Sequence, residues 1–153
     1  MSTSSKERKW LKACDMLAPL FSTCSKAQYF SVVLMPNGRV AGVGYNGSPP
    51  GMGHCVDGFC PRAQEQSPAG SVYDNCVAQH AEANALLWSD PSKRIGANLI
   101  VNGPPCYGCA KQIASSGIVR VVCRRNVSYA DWGKSLALLQ SAGVEVVEVG
   151  DVA

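Results

Sequence analysis

Two short segments of the sequence carry side chains that bind metals or move protons. The first contains His80 and Glu82, and the second is a Cys-x-x-Cys pair formed by Cys106 and Cys109. One imidazole and two thiolates fill three positions of a tetrahedral zinc ion and leave the fourth open. An open position is typical of a catalytic site, because structural zinc sites are closed by protein ligands. We therefore predict a catalytic zinc held by His80, Cys106 and Cys109.

Glu82 is predicted to act beside this metal rather than on it. It follows His80 by two residues, so on a helix the two side chains project from different sides. Two thiolates nearly neutralise Zn²⁺, so a water at the open position is acidified less than in a three-histidine site, where its pKa is about 7. A separate proton acceptor is then needed, and we assign that role to Glu82.

The order of apolar periodicities predicts the elements that position these residues. The sequence reads as a helix, a strand hairpin, a long loop and three helix–strand units, a pattern typical of a three-layer α/β/α domain with a mixed five-stranded sheet. We expect one domain over residues 1–153, with residues 46–75 forming a long loop pinned by a metal. The predicted helices cover 6–21, 77–88, 105–115 and 132–140, and the strands 29–35, 40–45, 97–101, 118–123 and 144–149.

Composition excludes several classes of protein. Hydrophobic residues make up 46% and charged residues 16% of the 153, which is not the composition of a disordered chain. Apolar runs fall short of the ~20 residues of a membrane span, and no signal peptide is visible, so we expect a cytoplasmic protein. Under these conditions eight cysteines indicate metal binding or catalysis rather than disulfides.

The charge pattern gives no reason to expect a nucleic-acid partner. The net charge is only +3, whereas such partners are usually associated with a pI above about 9 and a clustered basic face. We interpret the local basic residues as a solvated surface that is compatible with a small phosphorylated ligand. They are Lys6, Arg8, Lys9 and Lys12 on the first predicted helix, and Arg124 and Arg125 late in the chain.

The spacing His-x-Glu followed by Pro-Cys-x-x-Cys resembles the signature of zinc-dependent nucleobase deaminases. The resemblance extends to residues 44–49 (GYNGSP) with His54 and Cys55 after them, and to residues 79–85 (QHAEANA). These segments are similar to those of deoxycytidylate (dCMP) deaminases, and the likeness covers about residues 8–149. It implies a cytidine deaminase-like fold and hydrolysis of dCMP to dUMP with release of ammonia.

The resemblance also implies roles for further residues and partners. Glu82 would move a proton from water to N3 of the cytosine ring and then to the leaving amine. The backbone of Ala81 would contact the base, and Asn46 would hydrogen-bond the sugar. Relatives are commonly hexamers that dCTP and dTTP regulate through the GYNG segment. We therefore expect a homo-oligomer, with a hexamer favoured.

A second, structural zinc is a further expectation, since family members often carry one near these segments. Its best ligand set is four cysteines, with His54 in reserve, and the alternative is a group of buried thiols without metal. Cys14 and Cys123 lie on apolar faces and are predicted to be core residues. The four predicted ligands are Cys24, Cys55, Cys60 and Cys76.

Residues 24–31 depart from the pattern that is common in the family. The family commonly has Cys-x-Arg-Arg-Gln-x-Gly-Ala where this chain has Ala27 at the second arginine and Phe30-Ser31 at the small pair. The change would alter the basic contacts and the floor of the substrate pocket, or it would only repack the residues there.

Two kinds of alternative function stay open for this chain. One is a deaminase that acts on adenosine in tRNA or on guanine, and the other is a zinc-stabilised binding module. Glu82 argues against the binding module, because a purely structural zinc site has no need of a carboxyl group beside an open metal position.

Overall fold

A computed structural model describes residues 2–64 and 76–150 of the chain. Within these residues, no helix combines the length and the apolar character needed to cross a membrane. The described elements, besides a short 3₁₀ helix at Cys55–Asp57, are α1 (Ser5–Phe21), β1 (Phe30–Leu34), β2 (Val40–Tyr45), α2 (Pro61–Gln64), α3 (Ala81–Leu87), α4 (Pro91–Arg94), β3 (Asn98–Val101), α5 (Tyr107–Ala114), β4 (Arg120–Arg124), α6 (Trp132–Ser141) and β5 (Glu145–Val149).

The five strands form one mixed sheet in the order β2-β1-β3-β4-β5. β1 pairs antiparallel with β2, across the predicted turn, and antiparallel with β3 on its other side. β3, β4 and β5 are parallel, as expected for strands that are joined through helices. The carboxyl ends of β3 and β4 therefore meet the start of β1 at one edge of the sheet.

The sheet is covered on both faces, so the predicted three-layer α/β/α architecture is confirmed. Successive strand residues point to opposite faces. Val32, Ile100 and Val122 pack against α1, which buries Leu11 and other residues at helical spacing. The alternate positions of the same strands form a second core against α3, α5 and α6. Both cores are apolar, which accounts for the nearly continuous hydrophobic runs of the strands.

Ion pairs fix α1 on the sheet at both ends of β4. Glu7 closes a capping box with Ser4 at the helix start, and its carboxylate accepts from Arg120 at 2.8 Å. Burial raises the pKa of Glu7, but the hydrogen bonds and charge of Arg120 outweigh it, so the pKa falls below its usual value. Nearly two turns before the helix ends, Asp15 accepts from Arg124, with Nε and Oδ2 3.0 Å apart.

One predicted boundary is wrong in a way that affects the site. The helix predicted over residues 77–88 begins at Ala81, because the backbone of Gln79 pairs with that of Gly47. This bridge holds Gln79 in extended conformation and makes His80 the residue that caps the helix. Helices α2 and α4 were not predicted from the sequence. Residues 65–75 of the predicted loop lie outside the described residues.

Candidate active site

The three predicted zinc ligands lie at the N-termini of two helices. His80 is the N-cap of α3, Cys106 is the N-cap of α5, and Cys109 lies in the first turn of α5. The Nδ1 atom of His80 is 3.3 Å from the Sγ of Cys106 and 3.5 Å from that of Cys109. Within residues 2–64 and 76–150, this is the only group of three or more potential ligand atoms that lie within 4.8 Å of one another.

These separations fit a tetrahedral zinc ion. Bond lengths of about 2.0 Å to nitrogen and 2.3 Å to sulfur place the two kinds of ligand atom about 3.6 Å apart. The donor set is also the one expected, since imidazole and thiolate are preferred zinc ligands. The fold therefore brings His80, Cys106 and Cys109 together at ligand spacing, with one coordination position left for a non-protein ligand.

Before metal binds, the two cysteines share one proton, and Cys106 is the one favoured as a thiolate. A hydrogen bond from the Cys109 thiol lowers the pKa of Cys106 to about 4, although burial opposes this shift. The same shared proton, together with burial, raises the pKa of Cys109. The backbone N–H of Cys109 also donates to the Cys106 sulfur at 3.4 Å, as expected at the positive end of a helix. Metal binding then needs to displace the one proton that the pair shares.

Two glycines of β2 explain why α3 lies so close to the sheet. A Cβ atom on Gly44 would lie 2.3 Å from the carbonyl oxygen of Ala81, and one on Gly42 would lie 2.9 Å from the Cβ of Ser89. The absence of side chains lets the helix backbone rest directly on the strand. Ser31 on β1 donates to the same Ala81 carbonyl at 3.2 Å. The first turn of α3, which carries His80 and Glu82, is thus fixed by β1 and β2.

Glu82 is buried beside the ligand group, as the proposed proton carrier must be. Its exposed fraction is 5%, and it lines the same cavity as His80 and Cys106. Burial raises the pKa of Glu82, although His80 opposes the shift. The Cys109 thiol also donates a hydrogen bond to the Glu82 carboxyl group. A buried carboxyl beside the ligand group is in the position that proton transfer to and from a bound molecule requires.

The cavity around Glu82 is completed by two further segments of the chain, of which only the one before β1 was connected with the pocket from the sequence. Lys26, Ala27 and Tyr29 come from the segment before β1. Asn126, Ser128 and Tyr129 come from the segment after β4. The cavity encloses about 150 Å³. A signal for the first of these walls was present in the sequence, because the departure from the family pattern falls on residues 24–31.

Residues 4–125 match the family profile described as the cytidine and deoxycytidylate deaminase zinc-binding region. The chain belongs to this family. The match spans most of the chain and includes every residue of the ligand group and Glu82. The zinc cofactor predicted from residue types is thus the one that the family binds.

Individual deaminases of this family resemble the chain over much of its length. The deoxycytidylate deaminase of Mycobacterium phage D29 is 46% identical over 106 residues, which are 66% of this chain and 80% of the phage protein. The Schizosaccharomyces pombe deoxycytidylate deaminase is 39% identical over 85% of this chain, which spans only 40% of the yeast protein. The dCMP deaminase of cyanophage S-TIM5 shares the fold, with a TM-score of 0.70 at 24% identity over 97% of this chain and the whole of the phage chain.

The two substrate-binding residues suggested by the deaminase resemblance are both buried. Asn46 is buried and lines the cavity. Its Oδ1 accepts from the Tyr29 backbone at 2.9 Å, and its Nδ2 donates to the Ala27 carbonyl at 2.7 Å. One amide hydrogen of Asn46 is left for a ligand. Ala81 is fully buried as the first residue of α3, between His80 and Glu82.

The residues that depart from the deaminase pattern divide between core and cavity. Phe30 packs in the α1-side core, and Ser31 links β1 to α3 as described above. Their changes are therefore repacking. Ala27, by contrast, lines the cavity where the family has an arginine. Lys26 is the only lysine or arginine among the described residues that line it.

The cysteines predicted to hold a second metal come together as a cluster. Cys24, Cys55 and Cys60 are buried against one another, and Cys76 packs on them with its sulfur 3.9 Å from that of Cys60. Unlike the atoms of the catalytic group, no three of these sulfurs in the described ranges all lie within 4.8 Å of one another. The reserve ligand His54 has a buried Nδ1 that has no hydrogen-bond partner among the described residues. Cys14 and Cys123 are core residues, as predicted.

Proposed function

We propose that the protein is a zinc-dependent hydrolase that converts dCMP to dUMP and ammonia. The observation that carries this proposal is the buried carboxyl of Glu82 in one cavity with His80 and Cys106, two members of the ligand group that Cys109 completes. A structural zinc site would need neither the carboxyl nor the cavity. The deoxycytidylate deaminases at 46% and 39% identity support the choice of dCMP as the substrate.

The chain's own residues supply binding and proton transfer in this reaction. His80, Cys106 and Cys109 would hold the zinc, which when bound polarises a water so that it becomes a nucleophile. Glu82 accepts a proton from that water and passes it to N3 as the oxygen bonds to C4 of the ring. Glu82 then takes the remaining proton from the hydroxyl now on C4 and delivers it to the amino group. The C4–N bond breaks, and ammonia leaves. A keto oxygen replaces the amine at C4, which gives dUMP.

Two groups are proposed to hold the substrate against these residues. The remaining amide hydrogen of Asn46 would bind the sugar, because Asn46 lines the cavity and its other polar atoms are committed to the segment before β1. The backbone of Ala81 would contact the base, since it lies between His80 and Glu82 on the first turn of α3. A cavity of about 150 Å³ is small, so we place the phosphate at its mouth.

Lys26 is the proposed partner of the 5′-phosphate. It is the only lysine or arginine among the described residues of the cavity wall, and Asn126, Ser128 and Tyr129 lie on the same wall with polar groups. A phosphate held by charge-assisted hydrogen bonds gains about 1.5–3 kcal/mol for each bond. The family arginine that Ala27 replaces would have added a second cation here, so this chain depends on Lys26 alone.

We expect ammonia release from dCMP to exceed that from deoxycytidine by orders of magnitude in kcat/KM, because the nucleoside lacks the phosphate bonds. The measurement is an ammonia assay of the zinc-loaded protein with dCMP, CMP, deoxycytidine and guanine. Equal efficiency on dCMP and deoxycytidine would contradict a nucleotide substrate. Preferential turnover of guanine would instead support the purine alternative.

In the same assay Lys26→Met should lower kcat/KM for dCMP by at least about tenfold, the value of one charge-assisted hydrogen bond. Its activity on deoxycytidine should stay near that of wild type, since the nucleoside has no phosphate to lose. Lys93→Met is the matched control, because Lys93 is an exposed residue of α4 outside the cavity. An equal loss on both substrates would show that Lys26 acts on folding or on the base rather than on the phosphate.

We also propose a structural zinc held by Cys24, Cys55, Cys60 and Cys76. The proposal is supported by the clustering of the four residues and by the 3.9 Å separation of the Cys60 and Cys76 sulfurs, since sulfurs on one tetrahedral zinc are about 3.8 Å apart. Metal analysis should find two zinc ions per wild-type chain and one in Cys60→Ser, with a lower Tm in the variant. One ion per wild-type chain would contradict the second site.

The oligomeric state, the cellular compartment and the regulation of the protein are proposed from the family resemblance. We propose a single-domain chain that forms a homohexamer in the cytoplasm, regulated by dCTP and dTTP through the GYNG segment. Apolar surface supports self-association: Leu87 and Trp88 at the end of α3 are 66% and 72% exposed, and the edge strand β2 exposes Val43. All eight cysteines are free, as in a reducing compartment. Light scattering at working concentration tests the hexamer, and a monomer mass would contradict it.

A further inference from the structure

Tyr29 forms part of the catalytic cavity wall directly beside Asn46. Phe30 of β1 is paired with Tyr45 of β2. Tyr29 and Asn46 are the next opposite pair along the hairpin, and the Asn46 N–H donates to the Tyr29 carbonyl at 3.3 Å. Opposite residues of an antiparallel pair place their side chains on the same face of the sheet, and both of these residues line the catalytic cavity. The Tyr29 ring therefore lies next to the amide that is proposed to bind the sugar.

The backbone around Tyr29 is held from both sides by asparagine side chains. On the β2 side, the Oδ1 atom of Asn46 accepts from the Tyr29 N–H at 2.9 Å. On the β3 side, the side chain of Asn102 accepts from the Phe30 N–H at 2.8 Å and donates to the Gln28 carbonyl at 3.1 Å. The segment that carries Tyr29 can therefore move toward or away from the cavity only if these hydrogen bonds break.

Main chain also supports the Tyr29 ring on the side away from the catalytic cavity. A second cavity lies between α1 and the segments after β3 and β4, and both Tyr29 and Gly103 line it. A Cβ atom on Gly103 would lie 2.4 Å from the Cε1 atom of Tyr29, so the ring lies directly against this glycine. Gly103 does not line the catalytic cavity. The ring therefore separates the two cavities, and the main chain at Gly103 limits its movement away from the catalytic one.

We propose that Tyr29 determines the sugar specificity of the site by excluding a 2′-hydroxyl, so that dCMP is turned over in preference to CMP. The inference rests on the proposed function and on the proposed sugar contact of Asn46. The deoxyribose of dCMP has one free hydroxyl, at C3′, so a hydrogen bond from Asn46 to a sugar hydroxyl is made there. C2′ is bonded to C3′, and an oxygen added to C2′ would enter the space beside Asn46 that the Tyr29 ring limits.

An aromatic ring at this position disfavours the 2′-hydroxyl in two ways. The added oxygen meets a side chain that the hydrogen bonds around it and the glycine behind it hold in place. The face of the ring also offers no hydrogen bond to replace the water that the hydroxyl loses on binding. Apolar surfaces in binding sites reject an added hydroxyl by on the order of 10²-fold, and we expect kcat/KM for dCMP to exceed that for CMP by about this factor.

Ammonia-release kinetics with dCMP and CMP on zinc-loaded wild type and Tyr29 variants test this role. Tyr29→Ala removes the ring and should lower the ratio of kcat/KM for dCMP to that for CMP by at least about tenfold. Tyr29→Phe keeps the ring, so its ratio should stay near that of wild type. Both substrates are measured on one preparation, so the ratio does not depend on the fraction of folded protein. Tyr29→Leu should lower the ratio in the same direction, and it replaces the alanine variant if that variant does not fold.

Phe21→Ala is the matched control, because Phe21 places an aromatic ring on the opposite face of the same hairpin. Its ring packs on those of Tyr45 and Phe30, with centroids 5.7 Å and 6.1 Å apart, and it should leave the ratio unchanged. An unchanged ratio in Tyr29→Ala, or an equal fall in Phe21→Ala, overturns the proposal. Loss of selectivity in Tyr29→Phe, or a wild type that turns over both nucleotides equally, also overturns it. A wild type that deaminates neither nucleotide contradicts the proposed function, and the inference with it.

Discussion

Replacing Glu82 by glutamine should lower turnover of dCMP by at least ~10²-fold, the lower end of a general acid–base contribution. A larger loss is expected, because the same carboxyl serves the attacking water, N3 and the leaving amine in succession. Glutamine keeps the shape of the side chain, and no member of the His80, Cys106 and Cys109 group is changed. Zinc content and Tm should therefore stay near those of wild type.

Steady-state kinetics, metal analysis and thermal unfolding of the same preparation check this expectation. Glu148→Gln is the matched control, because Glu148 lies on β5 and accepts a hydrogen bond from Trp132 that a glutamine oxygen can still accept. If the Glu82→Gln variant loses its zinc, Glu82 is a ligand rather than a proton carrier. If it keeps zinc and near-normal turnover, the base is another residue.

Cys106→Ala should remove one zinc ion per chain and lower activity by at least ~10³-fold. Losing the metal removes several kcal/mol of stabilisation from the transition state, and each 1.36 kcal/mol is a factor of about ten. Cys106 is both a ligand and the N-cap of α5, accepting from the N–H of Cys109, so we also expect a lower Tm. Metal analysis and the ammonia assay measure the two main effects.

Cys14→Ala separates these effects from the general cost of losing a buried thiol. Cys14 is fully buried between α1 and the sheet, and its thiol lies 3.8 Å from the Ile100 carbonyl. This control should lower the Tm while zinc content and turnover per folded chain are retained. Full activity of Cys106→Ala after removal of metal would contradict a zinc-dependent reaction.

The ligand group was predictable from sequence because its signals are local. His80 with Glu82, and Cys106 with Cys109, are short spacings that hold whatever the rest of the fold does. The start of α3 was not predictable, since it depends on the pairing of Gln79 with Gly47, which are far apart in the chain. Helical periodicity continues through residues 77–80, and only this contact ends it.

The cavity walls were harder to predict for the same reason. Lys26 reaches the site because β1 lies beside β3 in the sheet, and Tyr129 because β4 lies on the other side of β3. The basic residues of α1 and Arg125 share a cavity through the same strand order. No local pattern in the sequence marks the residues of either cavity as neighbours, because they are brought together by the strand order, which no local pattern encodes.

The direct packing of α3 on the glycines of β2 makes backbone geometry part of the catalytic apparatus. Gly44 has no group that could bind or transfer anything, yet any side chain there would collide with the first turn of α3. The collision would displace His80 and Glu82 as one unit while leaving both chemically intact. A mutational scan scored by activity would therefore rank Gly44 with the metal ligands, and mutational sensitivity alone could not separate residues that react from residues that leave room.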